Sequence, residues 1–370
     1  MRKLVFTSVA IAAAAALALT GCSGGSDRGG STGGDGDGAS AGFDAGSTIG
    51  VALPDKTSEN WTIAGQIFTD DLTAAGFKPD VQYAGSTSPV PDQQAQISAM
   101  IQSGAKVIVI GANDAKQLGS QVADAAAQGV KIISYDRLIS DTENVDYYVA
   151  FNNFKVGQDQ GTALLDGLAA KFPDQKSYNV ELIAGAATDP NAQVFFNGAM
   201  DVLQPKIDDG TLNVVSKQTS FEQVQTDKWD AANVQERFDT LLNQNYTGDT
   251  KIDGVLSPND TLARAAIQSV EDAGLGPIVI TGQDSEKASI PYIMDGRQYM
   301  TIYKDTRKLV EQTVSMIKDL ASGKDATTNT TEDNGSKKVP TFYLDPVVVT
   351  KDNAAEVYKD NDTLYPLTQQ

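Results

Sequence analysis

The 370-residue chain contains no histidine. That removes the commonest metal ligand, the commonest general base and the Ser-His and Cys-His dyads together. Aspartate, glutamate and lysine remain for acid–base work, so catalysis is disfavoured without being excluded. There is one cysteine, Cys22, so no disulfide can form within the chain. No Gly-X-Gly-X-X-Gly turn follows a strand-like run and no Gly-Lys-Ser/Thr loop occurs, which takes away the usual nucleotide-binding devices. The acidic stretches 141–146 and 227–230 lack the Asp-x-Asp-x-Asp-Gly spacing of a calcium loop. No cofactor or metal is expected. Basic residues are scarce, 29 Lys and Arg against 48 Asp and Glu, for a formal net charge of -19. Such acidity argues against nucleic acid and anionic lipid headgroups as partners.

The single long apolar run lies at the N-terminus. Met1-Arg2-Lys3 is followed by "LVFTSVAIAAAAALAL" and then by Leu19-Thr20-Gly21-Cys22. The run is short and has no stop-transfer pattern behind it, so residues 1–21 are expected to be a cleaved secretory leader. The last four residues resemble the bacterial lipobox, which makes Cys22 the expected lipidation site. Residues 22–46 are rich in Gly, Ser and Asp and almost devoid of large apolar side chains. They read as a flexible tether with a typical reach of roughly 25–30 Å.

From Thr48 the pattern changes. Short β-branched apolar runs occupy 48–53, 106–111, 130–135, 179–185, 252–257 and 277–282. Both faces of these runs are apolar, as in strands of a parallel sheet covered by helices. Helical spacing appears between them, in Ile97, Met100 and Ile101, in Leu118, Val122 and Ala125, and in Val234, Phe238, Leu241 and Leu242. Gly104, Gly129 and Gly274 stand where helix C-terminal caps belong. The alternation predicts an α/β fold of two doubly wound domains, about 48–152 and from 154 onward, with 152–157 as a crossover. A helix is expected after Asp305, and 328–338, "TNTTEDNGSKK", reads as an exposed loop.

Ligands of open α/β sheets bind beyond the carboxyl ends of the strands. Those positions hold Lys56, Asn60 and Trp61, then Asn113 and Asp114, then Asp136 and Arg137. Farther on come Asp189 and Asn191, Asn259 and Asp260, Gln283 and Asp284, and Lys304. Asp114 and Asp260 also read as caps of the helices that follow them. Carboxylates, amides, ammonium groups and one guanidinium suit a neutral polyol, whose hydroxyls each donate and accept. Trp61 and Trp229 offer flat apolar faces.

Six stretches carry a family resemblance: "YDRLI" (135–139), "DYYVAFNNFKVG" (146–157), "VLSPND" (255–260), "ITGQDSE" (280–286), "TIYKDTR" (301–307) and "DNGSKKVP" (333–340). In order and spacing they resemble the periplasmic monosaccharide-binding proteins of bacterial ABC importers, of the xylose-binding and multiple-sugar-binding type. The resemblance implies two Rossmann-like domains joined by a three-strand hinge, the type I periplasmic binding protein fold. It implies an N-terminal lobe of 48–153 plus 304–341 and a C-terminal lobe of 154–303 plus 342–370. As sugar ligands it implies Asp136, Arg137, Asp189, Asn191, Asn259, Asp284 and Lys304, with the ring between Trp61 and Trp229. Asn60 stands where the family often has arginine, and nearby Lys56 is expected to supply that charge. The implied protein is a monomeric, lipid-anchored extracytoplasmic component that delivers a monosaccharide to an ABC permease and catalyses nothing. Two other readings of the same residues stay open: a binding protein that presents sugar to a receptor or sensor kinase, and, less favoured, a glycan-acting enzyme using Asp136 and Asp284.

Overall fold

The computed structural model describes residues 42–54, 56 and 58–369. The expected leader, Cys22 and all but the last residues of the tether lie outside them. The chain begins with β1 (Thr48–Leu53), α1 (Glu59–Ala74), β2 (Lys78–Tyr83) and α2 (Pro89–Gln102). It continues through β3 (Val107–Ile110), α3 (Gly119–Ala127), β4 (Lys131–Tyr135) and β5 (Tyr147–Phe151). Then come α4 (Asn153–Lys171), β6 (Tyr178–Leu182), α5 (Pro190–Asp208), β7 (Leu212–Val214), α6 (Phe221–Val224) and α7 (Ala231–Asn245). β8 (Gly254–Leu256), α8 (Asp260–Asp272), β9 (Val279–Ile280), α9 (Ile290–Asp295) and β10 (Met300–Tyr303) follow. The last elements are α10 (Thr306–Ala321), β11 (Thr330–Asp333), β12 (Lys338–Leu344), β13 (Val347–Thr350) and α11 (Ala354–Val357).

The strands divide between two main sheets. One has the order β11-β12-β5-β4-β3-β1-β2, and the other β7-β6-β8-β9. All neighbours within them are parallel except the β11–β12 edge pair. β10 and β13 form a separate antiparallel pair. The period-2 alternation of strands explains how one apolar run serves two cores. In β3, Val107 and Val109 face a cluster with Phe68 and Leu72 of α1 and Val310 and Ile317 of α10. Ile108 and Ile110 face the opposite cluster, with Ile97, Met100 and Val122. In the second lobe, Val180 and Leu182 meet Leu164, Leu168 and Leu203. Across that sheet, Val255 and Ile280 meet Phe238, Leu241 and Ile267.

The chain passes between the lobes three times. It crosses at Asn152 between β5 and α4, at Lys304-Asp305 between β10 and α10, and at Asp345-Pro346 between β12 and β13. The last crossing falls later than the expected 341/342 boundary, because β12 stays paired with β5 as far as Leu344 and Phe151. Residues 328–338 are not a loop. Thr330–Asp333 build β11 and Lys338 starts β12, on either side of a tight turn in which Gly335 has φ +90°, the conformation that an Asn-Gly pair supplies cheaply. Gly104, Gly129 and Gly274 do close their helices with positive φ. No helix among the described residues is long and apolar enough to cross a membrane.

α4, the first element after the first crossing, packs backbone-close on α5. A Cβ at Gly157 would stand 2.0 Å from the Phe195 carbonyl oxygen, and one at Gly198 would stand 2.1 Å from that of Phe154. Neither partner is a flexible side chain that can yield. Gly157→Val is therefore expected to destabilise the protein by about 1–3 kcal/mol, the range of core overpacking. A thermal-unfolding midpoint equal to that of the unsubstituted protein would show that the two helices are not locked by this contact.

Candidate functional site

The parallel strands of both sheets end toward a cavity of about 330 Å3 between the lobes, within the range of small-molecule sites. Helix N-termini converge on the same space. Asp189 caps α5, its side chain accepting from Asn191 N–H at 2.9 Å. Asn259 caps α8 by accepting from Leu262 N–H at 2.9 Å, which leaves its amide NH2 uncommitted. Both caps line the cavity. Asp260, expected as the cap, is instead the first helical residue and is buried. Asp114 also caps no helix: it accepts from Lys116 N–H at 2.9 Å in a local turn, and α3 begins only at Gly119.

Arg137 lies in the middle of the cleft. Its Nε is 3.0 Å from Asp189 Oδ2 of the other lobe, an ion pair without hydrogen-bond alignment. Its Nη1 donates to the Ala112 carbonyl at 3.2 Å, and its guanidinium lies 5.3 Å from the Trp61 ring centroid. Trp61 is thus partly engaged before any ligand arrives: it packs against Tyr135 in the first-lobe core and supports the arginine. Burial pushes the Asp189 carboxyl up from its ordinary range, opposed by Arg137. Lys304 Nζ is 3.1 Å from Asp284 Oδ1 and 5.5 Å from the Phe195 ring centroid. Burial pulls Lys304 down, but the carboxylates of Asp284 and Asp136 outweigh it and the net direction is up, so the ammonium stays charged.

Several of these positions hold left-handed backbone. Asp136 has φ +62°, Asp284 +91°, and the consecutive Lys228 and Trp229 +55° and +56°. Each such non-glycine residue costs on the order of 1–3 kcal/mol and persists where the surroundings over-determine it. At Trp229 the turn lays the indole across Gly185, where a Cβ would fall 2.1 Å from Cζ2. The buried Trp229 Nε1 and Gln283 Oε1, both on residues of the cavity wall, have no partner among the described residues. Among the described residues no group of three or more Cys, Asp or Glu is arranged to hold a metal ion.

Ten of the eleven residues expected from the sequence line the cavity: Asn60, Trp61, Asp136, Arg137, Asp189, Asn191, Trp229, Asn259, Asp284 and Lys304. Lys56 does not. Its ammonium sits 4.5 Å from the centroid of the Tyr83 ring in a cation–π contact outside the cavity wall. Phe151 and Phe195 are wall residues not expected from the sequence. Phe195 was within reach, since it stands four positions after Asn191 on one face of α5.

A family model described as a periplasmic binding protein domain matches residues 49–325. The chain belongs to the periplasmic binding protein family. Its fold is the type I form of that family, two α/β lobes with a three-strand hinge. It is 44% identical over 313 residues to the multiple sugar-binding periplasmic protein SbpA of Azospirillum brasilense, covering 83% of this chain and 86% of that one. It is 35% identical to the D-xylose-binding periplasmic protein of Escherichia coli, covering 84% and 89%. A crystal structure of an ABC transporter solute binding protein from Clostridium phytofermentans with bound β-D-glucose matches with a TM-score of 0.81 and 35% identity. That match covers 87% of this chain and 99% of the other.

Behind the Asp284 loop of this binding protein, Asp260 is fully buried and forms no ion pair among the described residues. It accepts from Gln298 Nε2 at 2.7 Å and from Glu286 N–H at 2.9 Å. Burial, with Glu286 nearby, pushes its carboxyl up to about 8 from 3.8. A raised folded pKa contributes stability below the unfolded value and loses it as pH climbs through the folded one. Asp260→Asn should therefore gain stability relative to the unsubstituted protein as pH rises from about 4 to about 8. Denaturant unfolding of both proteins across that window checks this, and a constant difference between them contradicts it.

Proposed function

We propose that the protein is the substrate-binding component of an ABC sugar importer and holds one neutral monosaccharide, an aldopyranose of the xylose, glucose, galactose or arabinose type, between its lobes. The observation that carries this reading is the cleft's charge arrangement. Each interior cation already has an acid, Arg137 with Asp189 and Lys304 with Asp284. The site thus leaves neither interior cation free to draw an anion and keeps the Asp136 carboxylate as an acceptor, a combination that suits a neutral polyol. Asp136 accepts from ring hydroxyls, while Arg137, Lys304 and the free NH2 of Asn259 donate to them. Trp229 lies against the apolar face of the ring, and Trp61 forms the opposing wall below Arg137. The β-D-glucose bound in the Clostridium phytofermentans structure and the D-xylose of the Escherichia coli relative support this class.

In this reading the sugar touches both lobes, so it binds the closed form better than the open one and shifts the population toward it. An ABC permease takes the sugar from that closed form. The protein catalyses no reaction, and a lipid on Cys22 holds it on the extracytoplasmic face of the membrane. Hydrogen bonds to charged groups are worth about 1.5–3 kcal/mol each. Isothermal titration with D-xylose, D-glucose, D-galactose and L-arabinose is expected to give one-to-one binding of at least one sugar, weakened about 10- to 150-fold in Asp136→Ala. Absence of heat with all four overturns the monosaccharide assignment.

A further inference from the structure

We propose that Tyr148 and Asn153 are positioning residues: without lining the cavity, they orient Asp136 and Asn191 into a clasp between the lobes and so set how long a ligand is held. The inference rests on the sugar-binding reading above. Asn153 opens α4 immediately after the first crossing and is 5% exposed, and Tyr148 in β5 is 2% exposed. Neither contributes to the cavity wall.

The network runs in one direction. Asn153 Nδ2 donates to Asn191 Oδ1 at 2.8 Å and approaches the Tyr148 hydroxyl at 3.4 Å. Tyr148 donates to the Asp136 carbonyl at 2.8 Å. Asn191 Nδ2 reaches from the second lobe to that same carbonyl at 2.9 Å and to Asp136 Oδ1 at 3.1 Å. An amide has an accepting end and a donating end, and only the donating end can face two oxygens of Asp136. Because Asn153 takes up the oxygen of Asn191, the NH2 is left pointing at Asp136. Reversal would set oxygen against oxygen in a buried place.

The left-handed backbone of Asp136 belongs to the same arrangement. It turns the carbonyl to where both Tyr148 and Asn191 can donate to it. Burial pushes the Tyr148 phenol well above its ordinary range, so the hydroxyl remains a donor. The hinge is tied in beside it, since Asn152 N–H donates to the Leu344 carbonyl at 3.0 Å. Asn191 thus has both ends engaged and acts as the bridge between lobes, while Asp136 keeps its second carboxylate oxygen for the ligand.

The test uses the full chain and four variants: Asn153→Ala, Tyr148→Phe, Asn191→Ala and the Asn153→Ala/Asn191→Ala double variant. Each is titrated with D-glucose and D-xylose, and association and release are followed by stopped flow. Asn153→Ala and Tyr148→Phe should each weaken affinity about tenfold, which is about 1.4 kcal/mol. The loss should lie in faster release, with association changed less than about twofold. The double variant should bind no more weakly than Asn191→Ala, because both substitutions remove one contact. A merely structural role would lower the unfolding midpoint yet leave release unchanged. Unaltered affinity in both single variants, or fully additive losses in the double one, overturns the proposal. Should Asn153→Ala fail to fold, Tyr148→Phe, which removes one oxygen, carries the test. If the unsubstituted protein binds neither sugar, the sugar reading is what fails. The clasp is then read from small-angle scattering of the sugar-free proteins, where expanded single variants support it and identical radii overturn it.

Discussion

Arg137 and Asp189 come from different lobes, and neither is easily buried without the other. An unpaired ion in a protein interior costs several kcal/mol, whereas the two together, 3.0 Å apart, compensate each other. Bringing the lobes together and pairing these two charges are therefore one event. Lys304 repeats the logic at the second crossing, where the chain leaves β10 with its ammonium against Asp284. What remains facing the cavity is the Asp136 carboxylate and the uncharged donors and acceptors around it, with both interior cations already engaged.

That arrangement needs strand ends held at fixed spacing, and each lobe achieves this with a buried glutamine. In the first lobe Gln93 of α2 donates to the carbonyls of Gly111 at 2.8 Å and Ala52 at 3.3 Å, while its own oxygen accepts from Asn113 N–H. In the second, Gln160 of α4 donates to the carbonyls of Gly282 at 3.0 Å and Pro258 at 3.2 Å. The Ala52 and Gly282 carbonyls also accept from Gly111 and Ile302 N–H, but those of Gly111 and Pro258 find no main-chain donor among the described residues, and a buried unpaired carbonyl is costly. Satisfying them from a helix joins two neighbouring strands to that helix. The loops bearing Asn113, Asn259 and Asp284 thereby start from a rigid edge.

Most of the lobes was legible because parallel strands buried on both faces write themselves as continuous β-branched runs. The strand at 48–53 matches its run residue for residue. β2, "KPDVQY", was not seen, since an edge strand is only half-buried and its composition is mixed. The hairpin of β11 and β12 was hidden for a similar reason: its first strand is almost wholly exposed, so no apolar pattern marks it. Lys56 shows the limit of reasoning from strand ends alone. A long side chain near a cleft goes where its charge is best accommodated, and the nearby Tyr83 ring offered that place.

The order of residues along the chain was enough to specify two α/β lobes, the strand ends from which a site would be built, and the polar residues standing there. Local patterns carry that information, because alternation, helical spacing and capping act within a few residues. Which of those residues touch each other was settled only in the folded molecule. The pairing of Arg137 with Asp189, the engagement of both ends of Asn191, and the passage of Asn259 from free ligand to helix cap all depend on atoms distant in sequence. The chain's three crossings bring those atoms together, and no local pattern encodes the angle at which two lobes meet.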